Sequence, residues 1–234
     1  MDNFKYLADQ THDKGKLVWL DACRIFENAL FVKAFDKRYK NHSITDITKE
    51  IMEDADVVTM SLKKMYAHCG GAILINRNSK VLTQDQITAM GASIRRQTTT
   101  DYGNGYRSYS GLMGDGMVEI ITGLIQVVDE EIVGKRIAQC GMVSCYLKEK
   151  YDFPIIHGGH AMYIAADQVL PNVPLQGCPA EYLNAILMKS IQLRGCGLGY
   201  LVYGGRVTDE DGMVKYKNDL NMDSLRLAVP RCEY

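Results

Sequence analysis

Residues 17–29, LVWLDACRIFENA, form the stretch from which the fold is predicted. The apolar run at 17–20 follows Gly15 and ends at Asp21. A short continuous apolar run is typical of a strand buried on both faces, as in a parallel sheet. Residues 22–40 have a largely helical composition and a basic end, which is favourable near a helix C-terminus. The stretch therefore predicts a strand followed by a helix.

The same alternation continues downstream. Ser43 predicts the start of a helix, because its hydroxyl can accept a hydrogen bond from an exposed backbone N–H, and isoleucines recur at helical spacing after it. Two further apolar runs at 57–60 and 72–75 predict strands. The first half of the chain is therefore predicted to be α/β with a covered sheet.

The second half shows a mixed pattern and a soft boundary. Helices are predicted over 117–128, 131–150 and 180–192, a strand over 161–164 and a polar turn over 208–213, and a last apolar segment covers 225–229. We expect the Met-rich helix at 113–128 to pack into the core. The predicted domains are 1–130 and 131–234.

Composition limits the classes of partner. The 234 residues are 47% hydrophobic and 24% charged, as in a globular protein, and 27 basic residues balance 28 acidic ones. This balance predicts no nucleic-acid or membrane partner. No signal segment or apolar run of bilayer length is seen, so a cytoplasmic, soluble protein is expected. The seven cysteines lack the paired spacing of a zinc site, so no metal is expected, and most are predicted to be buried thiols.

Charged side chains follow two of the predicted strands. Asp21 and Arg24 come after the first strand, and Ser61 with the pair Lys63-Lys64 comes after the next. The carboxyl ends of such strands are where α/β proteins bind ligands. A lysine that can form a Schiff base, next to a carboxylate that can hold a pyridine nitrogen protonated, is the pairing that pyridoxal phosphate requires.

These segments resemble the β-eliminating lyases, the family of tryptophanase and tyrosine phenol-lyase. Residues 21–29 match the family pattern D-A-x-R-x-x-E-N-A, and residues 60–64 match M-S-x-K-K. The resemblance continues in the family's order through residues 69–71, 108–112, 158–161 and 225–231. It covers nearly the whole chain, and several ordered motifs are more specific than any one of them.

The resemblance implies a fold and a set of site residues. The fold would be an incomplete large domain of the aspartate-aminotransferase type (fold type I) plus most of a small α/β domain. Lys64 would form the Schiff base, Asp21 would pair with the pyridine nitrogen, and Arg24 would lie beside the phenolic oxygen of the cofactor. Ser61 would donate to the cofactor phosphate. Arg231 would bind the substrate α-carboxylate, a task suited to a guanidinium.

The resemblance also implies a reaction. It is α-proton abstraction and β-elimination of an aromatic amino acid, which yields pyruvate, ammonia and an aromatic leaving group such as indole or phenol. Family members work as oligomers, so a homo-oligomer is expected of the complete protein. They also use a monovalent cation such as potassium. Met65 and His68 stand where the family carries Asp and Asn, which weakens the expectation of potassium activation.

Other departures concern substrate and extent. An arginine that marks the phenol-lyases has no clear counterpart at 195–200, which favours tryptophan over tyrosine as substrate. Met1 aligns inside the family's large domain and Tyr234 stops before its C-terminal segment, so the chain is expected to be an internal portion. Without the family's glycine-rich phosphate-binding turn, it is expected to bind cofactor weakly and to show little lyase activity alone.

Alternatives remain open at this point. The chain could be a catalytically silent fragment of such a lyase, or another fold-type-I enzyme such as a threonine aldolase. The single residues also have structural interpretations: Asp21 suits a helix N-cap, and Arg24 suits a surface pair with Glu27 worth about 0.2–0.5 kcal/mol. The lysine pair could be solvated, Arg231 could be an ordinary exposed arginine, and His160 is interpreted as structural.

Overall fold

The computed structural model describes residues 1–67, 70–98, 113–217 and 222–229. The chain is a mixed α/β protein whose described part contains small sheets of three, four and two strands. It divides into two compact units, Met1–Gly134 and Lys135–Tyr234.

The first unit alternates helices and strands as predicted. Its elements are α1 Asp2–His12, β1 Trp19–Asp21, α2 Ile25–Phe35, α3 Ile44–Glu53, β2 Val57–Ser61, β3 Gly71–Ile75, α4 Gln84–Thr98 and α5 Gly114–Val127. Short 3-10 helices occupy Lys37–Tyr39 and Leu62–Lys64. The helix predicted within 22–40 is thus shorter than expected, and the first strand begins two residues later than its apolar run.

The three-stranded sheet is only partly covered. β1 runs parallel to β2, and β3 runs antiparallel to β2 on the other side. Val57 and Val58 of the central strand are buried, whereas Trp19 is 59% exposed and Leu74 is 43% exposed. The prediction of a covered sheet is therefore wrong for β1 and β3. Each has a single strand neighbour among the described residues, so each lies at a sheet edge.

The start of α3 follows the prediction. The Ser43 hydroxyl accepts a hydrogen bond from the N–H of Asp46 at 3.1 Å. Ile44 and Ile47 are fully buried. The carboxylate of Glu130 accepts a hydrogen bond from a second N–H group at this end of the helix, that of Ile44, at 3.0 Å. Two side chains thus satisfy two of the N–H donors that a helix N-terminus leaves without intrahelical partners.

A buried carboxylate ties α1 to the sheet. Asp56, just before β2, accepts from the Val18 N–H at 2.8 Å and from the Ser79 hydroxyl, and it lies 2.9 Å from Nε2 of His12. Burial opposes ionisation of Asp56, but these hydrogen bonds outweigh it and lower the pKa of the carboxyl below its usual value. The ionised Asp56 therefore stabilises the folded state.

This network makes stability depend on pH in a defined direction. Because the folded-state pKa of Asp56 lies below the ordinary 3.8, its contribution is present above that pH and is lost as pH falls through the folded pKa. Urea unfolding followed by circular dichroism at about pH 5 and about pH 3 should show lower stability at the acid pH. Asp56→Asn should be less stable at the higher pH and should lose part of the pH dependence. The exposed Asp13→Asn is the control, and an equal pH dependence in both variants would contradict the assignment.

Helix α5 departs from the prediction. Gly123 and Val127 form its buried face. Four of its larger apolar side chains are exposed, namely Met117, Val118, Ile121 and Ile125, as is Met113 just before the helix, whereas Ile120 and Leu124 are half-buried. The expectation that this helix packs its Met-rich face into the core is therefore wrong for the residues that the structure describes.

The second unit is built on an antiparallel sheet. Its elements are α6 Glu130–Tyr151, which begins in the first unit, β4 Ile155–His157, β5 Ala161–Ala165, α7 Ala166–Val169, α8 Pro179–Ile191, β6 Cys196–Leu198, α9 Tyr200–Tyr203, β7 Gly205–Thr208, β8 Val214–Lys217 and β9 Ser224–Ala228. The four-stranded sheet has the order β4-β5-β9-β6, and β7 and β8 form a hairpin. Its buried core includes Cys140, Ile155, Met162, Ile164, Leu183, Leu225 and Leu227. The helices and the strand predicted for this half are present, and the last apolar segment forms β9.

Asp223 joins three helix starts in this unit. Its carboxylate accepts the N–H of Ala180 in the first turn of α8 at 2.7 Å and the N–H of Tyr200 at the start of α9 at 2.9 Å. Its backbone oxygen accepts from the N–H of Ala166 at the start of α7 at 2.9 Å. The side chain is buried, so these donors depend on it rather than on water.

The cysteines are less buried than predicted. All five described cysteines, at 23, 140, 145, 178 and 196, are free thiols, and only Cys140 is buried. Within the described ranges, no three His, Cys, Asp or Glu side chains are grouped as metal ligands. In that same part of the chain, no helix has the length and apolar character needed to cross a bilayer.

Candidate active site

The register of β1 and β2 brings the predicted site residues to one edge of the sheet. Asp21, the last residue of β1, is paired with Thr59, and the N–H of Ala22 donates to the Thr59 carbonyl at 2.7 Å. β2 continues to Ser61, after which the 3-10 helix Leu62–Lys64 begins. The carboxylate, hydroxyl and amine singled out from the sequence therefore follow the carboxyl ends of two adjacent parallel strands.

Asp21 is an exposed carboxylate held in one orientation. Its Oδ1 accepts the N–H of Cys23 at 3.0 Å. The thiol and the N–H of Cys23 lower the pKa of Asp21, with a smaller contribution from the ammonium of Lys64, and together they outweigh the opposing effect of burial. The residue that precedes α2 as its N-cap is Arg24, so the N-cap interpretation of Asp21 is wrong. At neutral pH the side chain is an ionised acceptor.

Lys64 stands at the end of its 3-10 helix with an exposed side chain. The residues that follow it are anchored: Met65 and Ala67 are buried, and their N–H groups donate to the carbonyl of Leu62. Between them Tyr66 has a φ of 60°, a left-handed conformation that a non-glycine residue adopts only when its surroundings impose it. The exposed amine of Lys64 is thus carried on a turn whose following residues, 65–67, are held in place by burial and backbone hydrogen bonds.

Helix α5 packs against this turn. A Cβ atom placed on Gly123 would lie 2.5 Å from the carbonyl oxygen of Met65 and 2.7 Å from the backbone nitrogen of Ala67. The hydroxyl of Tyr66 donates to the carbonyl of Ile132 at 3.5 Å. Glycine is therefore required for the helix to touch the turn that follows Lys64.

Arg24 makes the ion pair considered as its structural alternative. Its Nη1 lies 2.9 Å from Oε1 of Glu27, and both side chains are largely buried. Its carbonyl also accepts from Nδ2 of Asn28 at 2.9 Å. A guanidinium has five N–H donors, so one bond to Glu27 leaves it able to bind a second group. The pair orients Arg24 without excluding the predicted role.

Ser61 and Cys23 join the two strand ends. The N–H of Ser61 donates to Sγ of Cys23 at 3.1 Å. Cys23 was not among the predicted site residues, although its place two residues after Asp21 was the available signal. Arg231, His68 and the motif residues 69 and 108–112 lie outside the described residues.

The side chains at this edge suit the cofactor that the resemblance implies. An ionised carboxylate fits a protonated ring nitrogen, and an exposed amine on a rigid turn fits a Schiff-base lysine. The observation that supports the fit is the carboxylate of Asp21, which accepts a hydrogen bond from the N–H of Cys23 and whose pKa is lowered by the thiol and N–H of Cys23 and by the ammonium of Lys64.

The chain is thus a mixed α/β protein that carries a carboxylate and a lysine after the carboxyl ends of the neighbouring strands β1 and β2. A sequence model of the family described as beta-eliminating lyase matches residues 1–222. The chain therefore belongs to the β-eliminating lyase family.

Individual relatives agree with this family. The chain is 31% identical to a tryptophanase of Rhodobacter capsulatus over 238 residues, which are 99% of this chain and 48% of the relative. It is 33% identical to a tryptophanase of Salinibacter ruber over 92% of this chain and 42% of the relative. It is 30% identical to a tyrosine phenol-lyase of Pasteurella multocida over all of this chain and 48% of the relative. The chain thus spans about half the length of these relatives.

Proposed function

We propose that this chain carries the lysine-bearing part of a pyridoxal-phosphate-dependent lyase that cleaves an aromatic amino acid by β-elimination. The products would be pyruvate, ammonia and an aromatic leaving group. One observation carries the proposal: Asp21 and the turn bearing Lys64 follow the carboxyl ends of two adjacent parallel strands. Membership of the family supports it.

Four of the predicted site residues lie within the described ranges, and each of them has a proposed role there. Lys64 holds the cofactor covalently through its amine. Asp21 would accept a hydrogen bond from the protonated ring nitrogen of the cofactor, and its lowered pKa keeps the carboxylate ionised as an acceptor. Arg24, fixed by Glu27, places positive charge at the phenolic oxygen. Ser61 offers a hydroxyl to the phosphate.

The chemistry divides between the cofactor and the chain. Bound pyridoxal phosphate supplies an electron sink for the bond broken at the substrate α-carbon. Asp21 keeps a proton at the ring nitrogen, because an ionised carboxylate next to a cation favours the charged form. The buried residues that follow Lys64 in its turn limit the positions that the amine can take, which favours a productive geometry.

The finer assignments belong to the same proposal. They are a fold-type-I arrangement, domains 1–130 and 131–234, a homo-oligomeric and cytoplasmic enzyme, and Arg231 as the residue that binds the substrate carboxylate. Tryptophan is the proposed substrate in preference to tyrosine. Potassium has no assigned role: Met65, at the position of a family aspartate, is buried and offers only a thioether.

The test uses a chimera in which residues 1–222 replace the matching half of the Rhodobacter capsulatus tryptophanase. Pyruvate release from tryptophan and from tyrosine is measured beside the parent enzyme. We expect turnover, and we expect Asp21→Asn to reduce kcat about 100-fold or more while borohydride still fixes the cofactor to the protein. Asp13→Asn, an exposed aspartate of the same unit, is the control.

Two outcomes would contradict the proposal. One is a chimera that matches the parent in circular dichroism and size but releases no pyruvate. The other is full activity in Asp21→Asn, which would remove the role of the carboxylate while leaving the family assignment intact.

A further inference from the structure

Cys23 lies at the centre of the candidate site and has no role in the chemistry proposed above. It follows β1 by two residues and is half-buried. Its N–H donates to Oδ1 of Asp21 at 3.0 Å, and its sulfur accepts the N–H of Ser61 at 3.1 Å. One residue therefore contacts both the carboxylate at the end of β1 and the backbone at the end of β2.

These contacts restrict both strand ends. The N–H of Cys23 closes a turn in which the Asp21 side chain accepts from the backbone two residues on, a local bond that aspartate forms readily. The thiol of the same residue lowers the pKa of that carboxyl, and so does this N–H. The local hydrogen bond restrains the direction of the carboxylate, because rotation about χ2 would break it, and the nearby thiol favours its ionised form.

The contact with Ser61 adds a link between the strands. The pairing of β1 with β2 ends at Asp21 and Thr59. The bond from the Ser61 N–H to the Cys23 sulfur continues the connection past the last paired residues. The distance between the carboxylate and the turn of Lys64 is held in part by this sulfur.

We propose that Cys23 is a positioning residue, which orients the Asp21 carboxylate and fixes the end of β1 against Ser61. The use made of the carboxylate rests on the proposed function, whereas the positioning itself is a property of this chain alone.

The charges around the thiol agree with a donor role. Burial raises the pKa of the Cys23 thiol, and the carboxylate of Asp21 raises it further. The N–H of Ser61 and the ammonium of Lys64 act in the opposite direction but are outweighed. The thiol therefore stays protonated at neutral pH, where it can donate to an ionised Asp21.

The first experiment measures the Asp21 carboxyl directly, in residues 1–234 without cofactor. Carbon-13 NMR of labelled aspartate follows its titration in wild type, Cys23→Ser and Cys23→Ala. We expect the pKa of Asp21 to rise in Cys23→Ala, because the thiol that favours its charged form is lost. In Cys23→Ser the hydroxyl can replace the thiol as donor, so the pKa should stay near the wild-type value.

The second experiment tests the influence of Asp21 on Cys23 through the reactivity of the thiol. The rate of alkylation of Cys23 by iodoacetamide is followed against pH by peptide mass spectrometry. In Asp21→Asn the profile should move to lower pH, because the carboxylate that raises the thiol pKa is gone. The exposed Cys145 is an internal control in every sample, and its profile should not move.

The outcomes separate the two proposals. An Asp21 titration unaffected by Cys23→Ala, or a Cys23 profile unaffected by Asp21→Asn, overturns the positioning role. If both shifts occur but the folded chimera releases no pyruvate, the proposed function fails and the positioning role stands.

Discussion

Replacing Lys64 by arginine is expected to abolish covalent attachment of pyridoxal phosphate to this chain. Arginine keeps the positive charge that acts on Asp21, but a guanidinium does not form a Schiff base with the cofactor aldehyde. Incubation with pyridoxal phosphate, borohydride reduction and peptide mapping should label the 57–69 peptide on Lys64 in wild type and leave it at background in Lys64→Arg. In the chimera, kcat should fall on the order of a thousandfold or more.

Lys63 provides a matched control. It is exposed and lies beside Lys64 on the same 3-10 helix. Lys63→Arg should retain the label and most of the turnover. Label on Lys63 alone, or on no residue of that peptide in wild type, would show that the cofactor lysine is wrongly assigned.

Removing the Asp223 carboxylate is expected to destabilise the second unit by about 2 to 4 kcal/mol. Asp223→Ala leaves the buried N–H of Ala180 and the half-buried N–H of Tyr200 without their acceptor. Hydrogen exchange measured by mass spectrometry should then be faster in peptides that cover β5 and β9, by about 30-fold to several hundred-fold.

Two variants show whether the hydrogen bonds are responsible. Asp223→Asn retains one carbonyl oxygen and should fall between wild type and alanine, since its amide nitrogen cannot accept. Asp211→Ala removes an exposed carboxylate from the turn of the β7–β8 hairpin and should change exchange little. Equal effects of Asp223→Ala and Asp211→Ala would show that the caps contribute nothing.

The sequence predicted the elements that depend on local signals. The hydroxyl of Ser43 and the isoleucines after it located α3 because capping and helical spacing are properties of neighbouring residues. The strand ends at Asp21 and Ser61 were predictable for the same reason, since a charged or polar residue directly follows each apolar run. The family assignment followed from the order of such motifs.

Burial and contact could not be predicted in the same way. The apolar spacing of α5 indicates a helix but not which partner covers it, and its buried face proved to be that of Gly123 and Val127. The exposure of Trp19 depends on β1 being an edge strand. The contact between Cys23 and Ser61 joins residues 38 positions apart, so it depends on strand register rather than local pattern.

The missing side chain of Gly123 has a consequence for how this sequence can change over time. Alanine, which a helix interior ordinarily favours, would place a methyl group inside contact distance of the Met65 carbonyl. At Gly91 and Gly114 the same methyl group would meet nothing within 4 Å. We therefore expect substitutions to accumulate at Gly91 and Gly114 during evolution, whereas Gly123 should be retained. The reason is the backbone of Met65, which lies 58 positions before Gly123 in the chain. The residue type allowed at this position of α5 is therefore set by the turn that follows Lys64, and not by the helix itself.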